Sequence, residues 1–385
     1  MKRLLGYSLV ILFVQLFLNS CHTAIDNAIT LYDSDIEDLS IDQLEKIVSL
    51  KPIKSKDLMK GVEFGLCFDE YFFLTSEDNT TLYCIVGDSV VATLNQQGRG
   101  YGEYLTINDY MFSKEDSVLY IMSQNQILKY KYPNFTFIES FKVKYNATAP
   151  RIVNDSVFIA QCDEYNNDGG IDYYFGLIST NTGEIVKKMA DVNTCQSRFI
   201  FNDQVYENKG HLYYPVIDYH DFNFYSFHDC QLEAGTTYRY EKRWKIPNDK
   251  IVKDPSDMNQ QIDFAMYLES DNMCFGGFYP IISNDTIMFW SFQMKDSERS
   301  NILNIVTDSS LKRYLFRIPG LTFDFYDYLC SGNGTYYYIL PATADDIVDD
   351  ATDMSPLASQ IVSAIEKNEG NPVIMVLNFH SCKNE

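Results

Sequence analysis

Six times along the chain a polar turn opens directly into a run of β-branched and aromatic residues. The runs are Asp69-Glu-Tyr-Phe-Phe-Leu, Asp116-Ser-Val-Leu-Tyr-Ile, Asp155-Ser-Val-Phe-Ile-Ala, Gly210-His-Leu-Tyr-Tyr-Pro, Asp285-Thr-Ile-Met-Phe-Trp and Gly334-Thr-Tyr-Tyr-Tyr-Ile. Their starts are 47, 39, 55, 75 and 49 residues apart, and 334 − 69 = 265 over five intervals gives a mean of 53. Each interval holds about four short strands, the pattern of a radial array of sheets. A single four-stranded sheet leaves two apolar faces bare, whereas a ring of them covers each face with its neighbour's. The repeat predicts an all-β chain: a six-bladed β-propeller of four-stranded antiparallel blades over residues 41–385. Two stacked sheets are the rival architecture, and six consecutive units disfavour it.

The 75-residue interval contains an insertion, roughly 235–276, and a second insertion spans 343–369. In the second, Ser355 as N-cap and Pro356 at the first helical position predict the one short helix of the fold. Pro372-Val-Ile-Met-Val-Leu-Asn-Phe supplies a last strand, and Leu44–Ile53 patterns as an early strand that joins the final blade and closes the ring.

Lys and Arg number 31 against 53 Asp and Glu, a net charge of −22. That balance argues against nucleic-acid binding, which needs a basic surface, and disfavours electrostatic docking on anionic lipid. Met1-Lys2-Arg3 and an apolar run to Leu18 read as a signal peptide, too short to span a bilayer. Leu18-Asn-Ser-Cys21 resembles a bacterial lipobox, with Asn19 a mild departure. That resemblance implies removal of residues 1–20, lipid on Cys21 and a tether over 21–40. His22, in place of Asp, implies the outer membrane, so the expected location is the cell envelope. The eight other cysteines include no C-x-x-C pair and fall mostly in strand-like runs, as buried small hydrophobes do.

Gly98-Arg-Gly-Tyr-Gly-Glu-Tyr104, followed by Asn108-Asp109, fails as a phosphate loop: its glycines alternate, no Lys follows, and the next segment reads as strand. The glycines suit a tight crossing between blades. Gly98-x-Gly100-x-Gly102-Glu103-Tyr104 resembles the G-x-G-P-G-E-Y/F signature of the six-bladed β-propeller lipoproteins of Gram-negative gut anaerobes, which are loosely NHL-like. Tyr101 stands where that family usually has Pro. The resemblance covers about residues 40–385; it implies fold and location and lends no catalytic residue. Gly98, Arg99, Gly100, Gly102, Glu103, Tyr104, Asn108 and Asp109 are the candidate binding residues, as a segment lining the central mouth.

Other constellations have plainer readings. Glu164 to Phe175 partly resembles a calcium loop but carries Phe175 where the bidentate Glu belongs. Asp218, His220, Asp221, His228 and Asp229 have zinc-binding side chains at a spacing that needs a favourable hairpin. Asp-Ser/Thr-hydrophobic triplets at Asp88, Asp116, Asp155 and Asp285 resemble an O-glycosylation sequon and are equally what a turn entering a strand needs. The abundant aromatics suit wedges between blades, and any at the rim could stack on sugars or peptides. The sequence assigns no catalytic residue, metal or cofactor. The leading expectation is a lipid-anchored, non-catalytic module that binds a glycan, a peptide or an envelope protein. The alternative is a carbohydrate- or lactone-active hydrolase or lyase at the mouth.

Overall fold

The computed structural model describes residues 28–379 except 60, 69, 164–172, 192–205, 209–210, 218–220, 242–248, 251–256, 269–272, 284–285, 296–297, 308–309, 324–328, 333–334, 350–352 and 369. Strands fall into six separate sheets. Blade 1 is β4–β7 (Val62–Phe68, Tyr71–Ser76, Leu82–Val86, Ser89–Leu94), and blade 2 is β8–β11 (Asp109–Ser113, Val118–Ser123, Gln126–Lys131, Thr136–Lys142). Blade 3 is β12–β15 (Asn146–Asn154, Val157–Asp163, Tyr173–Ser179, Ile185–Asp191). Blade 4 is β16–β19 (Tyr206–Asn208, His211–Ile217, Asp221–His228, Gln231–Tyr240). Blade 5 is β20–β23 (Met273–Ser283, Thr286–Lys295, Glu298–Thr307, Ser310–Phe316). Blade 6 is β24–β26 (Leu329–Gly332, Thr335–Ile339, Val373–Leu377), completed at its outer edge by β3 (Val48–Pro52).

The blades meet face to face in six apolar seams. Leu66 and Phe73 pack with Tyr110 and Phe112 between blades 1 and 2. Met111 and Tyr120 meet Phe158 and Ala160 at the next seam, and Phe175 and Leu177 meet Leu212 and Phe227 at the third. Tyr238 packs with Phe289, and Trp290 and Phe316 with Tyr336 and Tyr338. Ile339 and Ile374 of blade 6 pack with Phe72 and Leu74 of blade 1, which closes the circle. Period-two alternation explains how one strand serves two seams: Tyr336 and Tyr338 face blade 5, while Tyr337 between them faces blade 1, 5.5 Å from Phe72. Buried hydroxyls add ties across seams, Tyr110 donating to the Phe73 carbonyl (3.0 Å) and Tyr336 to that of Met288 (2.8 Å).

The closing strand is where the sequence places it, paired antiparallel with β26 from Val48↔Leu377 to Pro52↔Val373. Its first half differs from expectation: Ile41–Ile47 is a helix, α1. Ser40 and Gln43 form a reciprocal capping box, the Ser40 N–H donating to Gln43 Oε1 (2.9 Å) and the Gln43 N–H to Ser40 Oγ (3.3 Å). Leu44 and Ile47, three apart, turn one buried face inward. A second unexpected helix, α2 (Met258–Leu268), lies in the first insertion. The expected helix is α3 (Pro356–Lys367), capped by Ser355 Oγ accepting from the Ala358 N–H (3.2 Å), with Leu357, Ala358, Ile361 and Ile365 buried.

The stretch expected to be a free tether is docked from residue 28 onward. β1 (Ile29–Leu31) pairs parallel with β19 at the rim of blade 4, and β2 (Ile36–Asp38) pairs parallel with β23 at the rim of blade 5. Between them Arg313, 1% exposed, donates Nε–H to Asn304 Oδ1 (2.9 Å) and Nη1–H to the Tyr32 carbonyl, with Asp33 Oδ1 at 3.7 Å. The N-terminal segment is therefore a strap over three successive blades.

Candidate functional site

Antiparallel order sorts the connections onto two faces. Those between first and second strands, and between third and fourth, are short hairpins of two to five residues, such as 114–117, 155–156, 180–184 and 229–230. The opposite face receives the inter-blade crossings and the links between second and third strands. Its connections include 95–108, 192–205, 241–272, 317–328 and 340–372. Among the described strands of the six blades, every connection longer than five residues thus leaves from this one face.

On that face, Gly98–Tyr104 crosses from the outer strand of blade 1 to the inner strand of blade 2. Tyr104 is fully buried beneath it; its hydroxyl donates to the Thr80 carbonyl (2.7 Å) and accepts from the Gln96 N–H (3.2 Å). Burial pushes the Tyr104 phenol up to about 12. The Tyr130 hydroxyl holds the Gly102 carbonyl (2.9 Å) from the blade 2 side. Of the three glycines only Gly102 has positive φ, +73°, and a Cβ there would stand 2.6 Å from Phe137 Cγ. Glu103 Oε2 accepts from the Gly100 N–H (2.6 Å) and closes the turn on itself. Tyr101 takes the family's proline position with its ring edge-on to Phe137 (4.8 Å) while remaining 91% exposed. These contacts put the loop over the blade 1–2 seam, against the outer strand β11, rather than around the mouth. Arg99 and Glu103 are solvent-exposed there.

Asn108 also works locally: Oδ1 accepts from the Gln124 N–H (2.9 Å), whose φ of +51° makes the β9–β10 turn. Asp109 is the candidate that reaches the inner strands. It is 2% exposed, and Oδ2 accepts from the Ala149 N–H of blade 3 (2.7 Å) while Oδ1 accepts from its own neighbour Tyr110 (2.7 Å). Two positions beyond Ala149, buried Arg151 lays its guanidinium over the Phe68 ring of blade 1, 5.1 Å from the centroid. Blades 1 and 3 are not neighbours, so this cation–π contact reaches past blade 2 to tie their inner strands together. Arg151 belongs to no motif in the sequence, and only its position on an inner strand marks it.

Of the calcium-like loop, Glu164–Asp172 lies outside the described residues, and Phe175 is buried in the blade 3–4 seam. Asp218 and His220 also lie outside them; Asp221 and His228 stand at opposite ends of β18, and His228 Nε2 meets Asp229 Oδ2 at 3.2 Å in an exposed hairpin. Among the described residues no three His, Cys, Asp or Glu side chains gather as a metal site. The sequon-like triplets at Asp88, Asp116 and Asp155 belong to hairpin-face turns, and Asp285 of the fourth lies outside the described residues. Ser156 is exposed, whereas Thr286 is 6% exposed, buried in blade 5. At one of them the turn is made a residue earlier than expected: Asn154 Oδ1, not Asp155, accepts from the N–H groups of Ser156 (2.9 Å) and Val157 (3.1 Å).

A family model described as 6-bladed beta-propeller (DUF5128) matches residues 87–312. The chain is similar in structure to a protein of Bacteroides fragilis described as exported, with TM-score 0.67 and 14% identity, covering 89% of this chain and 98% of that one. Looser likenesses include the Pan2 WD40 domain of Neurospora crassa (TM-score 0.38, 7% identity, 82% and 75% covered). Another is the extracellular domain of a hybrid two-component system of B. thetaiotaomicron (TM-score 0.36, 15% identity, 75% and 32% covered). No curated protein matches the chain.

Proposed function

Because the chain belongs to the 6-bladed beta-propeller family, its role rests on what its loops present, and we propose that it is a lipid-anchored, non-catalytic binding module of the cell envelope. The loop-rich face is the surface for its partner, a glycan, peptide or protein of the envelope. The observation that carries this reading is the one-sided distribution of the long loops. Leu18-Asn-Ser-Cys21 supports acylation of Cys21 as the means of anchoring.

A photo-crosslinking residue at exposed Tyr101 gives a discrete adduct in cells, and the same residue at Asn181 on the hairpin face gives none. Adducts from Asn181 alone, or turnover of chromogenic glycosides or lactones by the purified protein, would overturn the reading. Cys21→Ala moves the folded protein from the membrane fraction to the soluble one.

A further inference from the structure

Strand addition at the rim is already part of this fold. Outside the four-stranded blades, β1 lies parallel to β19 and β2 parallel to β23. Lys54 bridges parallel to β7, its N–H donating to the Asp88 carbonyl (2.7 Å) and its carbonyl accepting from the Val90 N–H (2.9 Å). With β3 as the outer strand of blade 6, residues 29–54 serve blades 4, 5, 6 and 1 in turn. Among the described residues, blades 2 and 3 end at β11 and β15 with no further strand. A bare edge of this kind is a template for another chain.

β11 is built like the edges that the strap covers. In β19 an irregularity between Ala234 and Thr237 precedes the run 238–240 that pairs with β1. In β11 the irregularity falls at Ile138 and precedes 139–142, which keep regular register with 129–126 of β10. Five of the seven β11 residues are exposed, whereas only Ser310 and Lys312 are exposed in strapped β23. Exposed Tyr101, edge-on to Phe137, adds an apolar shelf beside the start of β11.

Charge indicates the occupant. Residues 28–38 of the strap hold Asp33, Asp35, Glu37 and Asp38 and no base, and they lie along strands that carry Arg239, Lys312 and Arg313. Residues 126–145 hold Lys129, Lys131, Lys142 and Lys144 against Glu139, or 4 − 1 = +3. Adding the exposed turn Lys114-Glu115-Asp116 leaves 3 − 1 = +2, in a chain of net charge −22. Glu139 takes up Lys129 (2.6 Å), and Lys131, Lys142 and Lys144 are exposed. A second copy's β11 would set like charge against like, and a second copy's strap could come across only by baring its own blades 4 and 5.

We propose that β11 is a docking edge for an extended acidic segment of a partner protein, added along residues 139–142 as a parallel fifth strand of blade 2. The probe is a fluorescent peptide with the sequence of residues 28–38. It is offered to the purified, folded protein carrying a photo-crosslinking residue either at Ser140 on β11 or at Lys312 on the strapped edge of blade 5. The peptide labels the Ser140 protein and not the Lys312 protein. Lys142→Glu combined with Lys144→Glu leaves Tm unchanged and cuts labelling about tenfold, as does replacing the four peptide acids by Asn and Gln. In cells the Ser140 protein forms an adduct that the same double charge reversal abolishes.

No labelling at Ser140 by millimolar peptide, equal labelling at Lys312, or labelling indifferent to the charge reversals overturns the proposal. So does an absent cellular adduct, or one that survives the reversal. Cross-linking of Ser140 to a second copy, or to residues 22–27 of its own chain, overturns it as well.

Discussion

Gly102 is held at φ +73° with the Phe137 ring 2.6 Å from where a Cβ would stand. Gly102→Ala therefore costs about 1–3 kcal/mol in urea unfolding, strain and collision acting together. Tyr104→Phe keeps the ring packing but removes the hydroxyl from the Thr80 carbonyl and the Gln96 N–H; about 1–2 kcal/mol is the expected loss. At the surface, the hydrogen bond from Lys54 (2.5 Å), helped by Ser89, holds the Asp88 carboxyl below its ordinary value, and Lys114 does the same for Glu70. A lowered folded pKa means that the unfolded chain takes up protons first as pH falls, so this stabilisation is present at neutral pH and lost below about pH 4. Asp88→Asn flattens that part of the acid limb of Tm against pH and leaves Glu70's share. The glycine loop shows what one residue string can reveal. Its spacing announces a tight crossing, yet which glycine needs the left-handed region depends on Phe137, 35 residues away in sequence.

At the scale of elements, α3 was readable because Ser355 and Pro356 are local signals, and α1 carried an equally local one in Ser40-Ile-Asp-Gln43. The apolar pattern from Leu44 masked it, since a short apolar run fits helix and strand alike. β1 and β2 have no readable period: each is three residues long and owes its conformation to the edge it covers. Arg313→Leu removes the donor from Asn304 Oδ1 and the Tyr32 carbonyl, and about 2–4 kcal/mol is the expected loss by urea unfolding. Deleting the strap through Asp38 bares the outer edges of blades 4 and 5 and raises self-association, measurable by sedimentation velocity.

For the whole molecule, the six turn-and-strand units in the sequence match six sheets because each seam draws the same alternation of large rings from both neighbours. What the repeat could not show is that the seam between blades 6 and 1 depends on residues from both ends of the chain, with Ile53 packed beside Ile374 and Phe72. EDTA leaves Tm unchanged; a large fall would restore the calcium reading of residues 164–175. Arg151 ties two blades that are not neighbours, and Arg151→Ala removes that cation–π contact, with an expected loss of about 1–2 kcal/mol in urea unfolding.

Among the described strands β3 is one of the first to be synthesised and β26 the last, yet they are partners. No nascent chain can complete its sixth blade until Leu377 has been made and freed. Assembly must therefore finish where translation began, and any pause before the final residues leaves a horseshoe with two sticky ends.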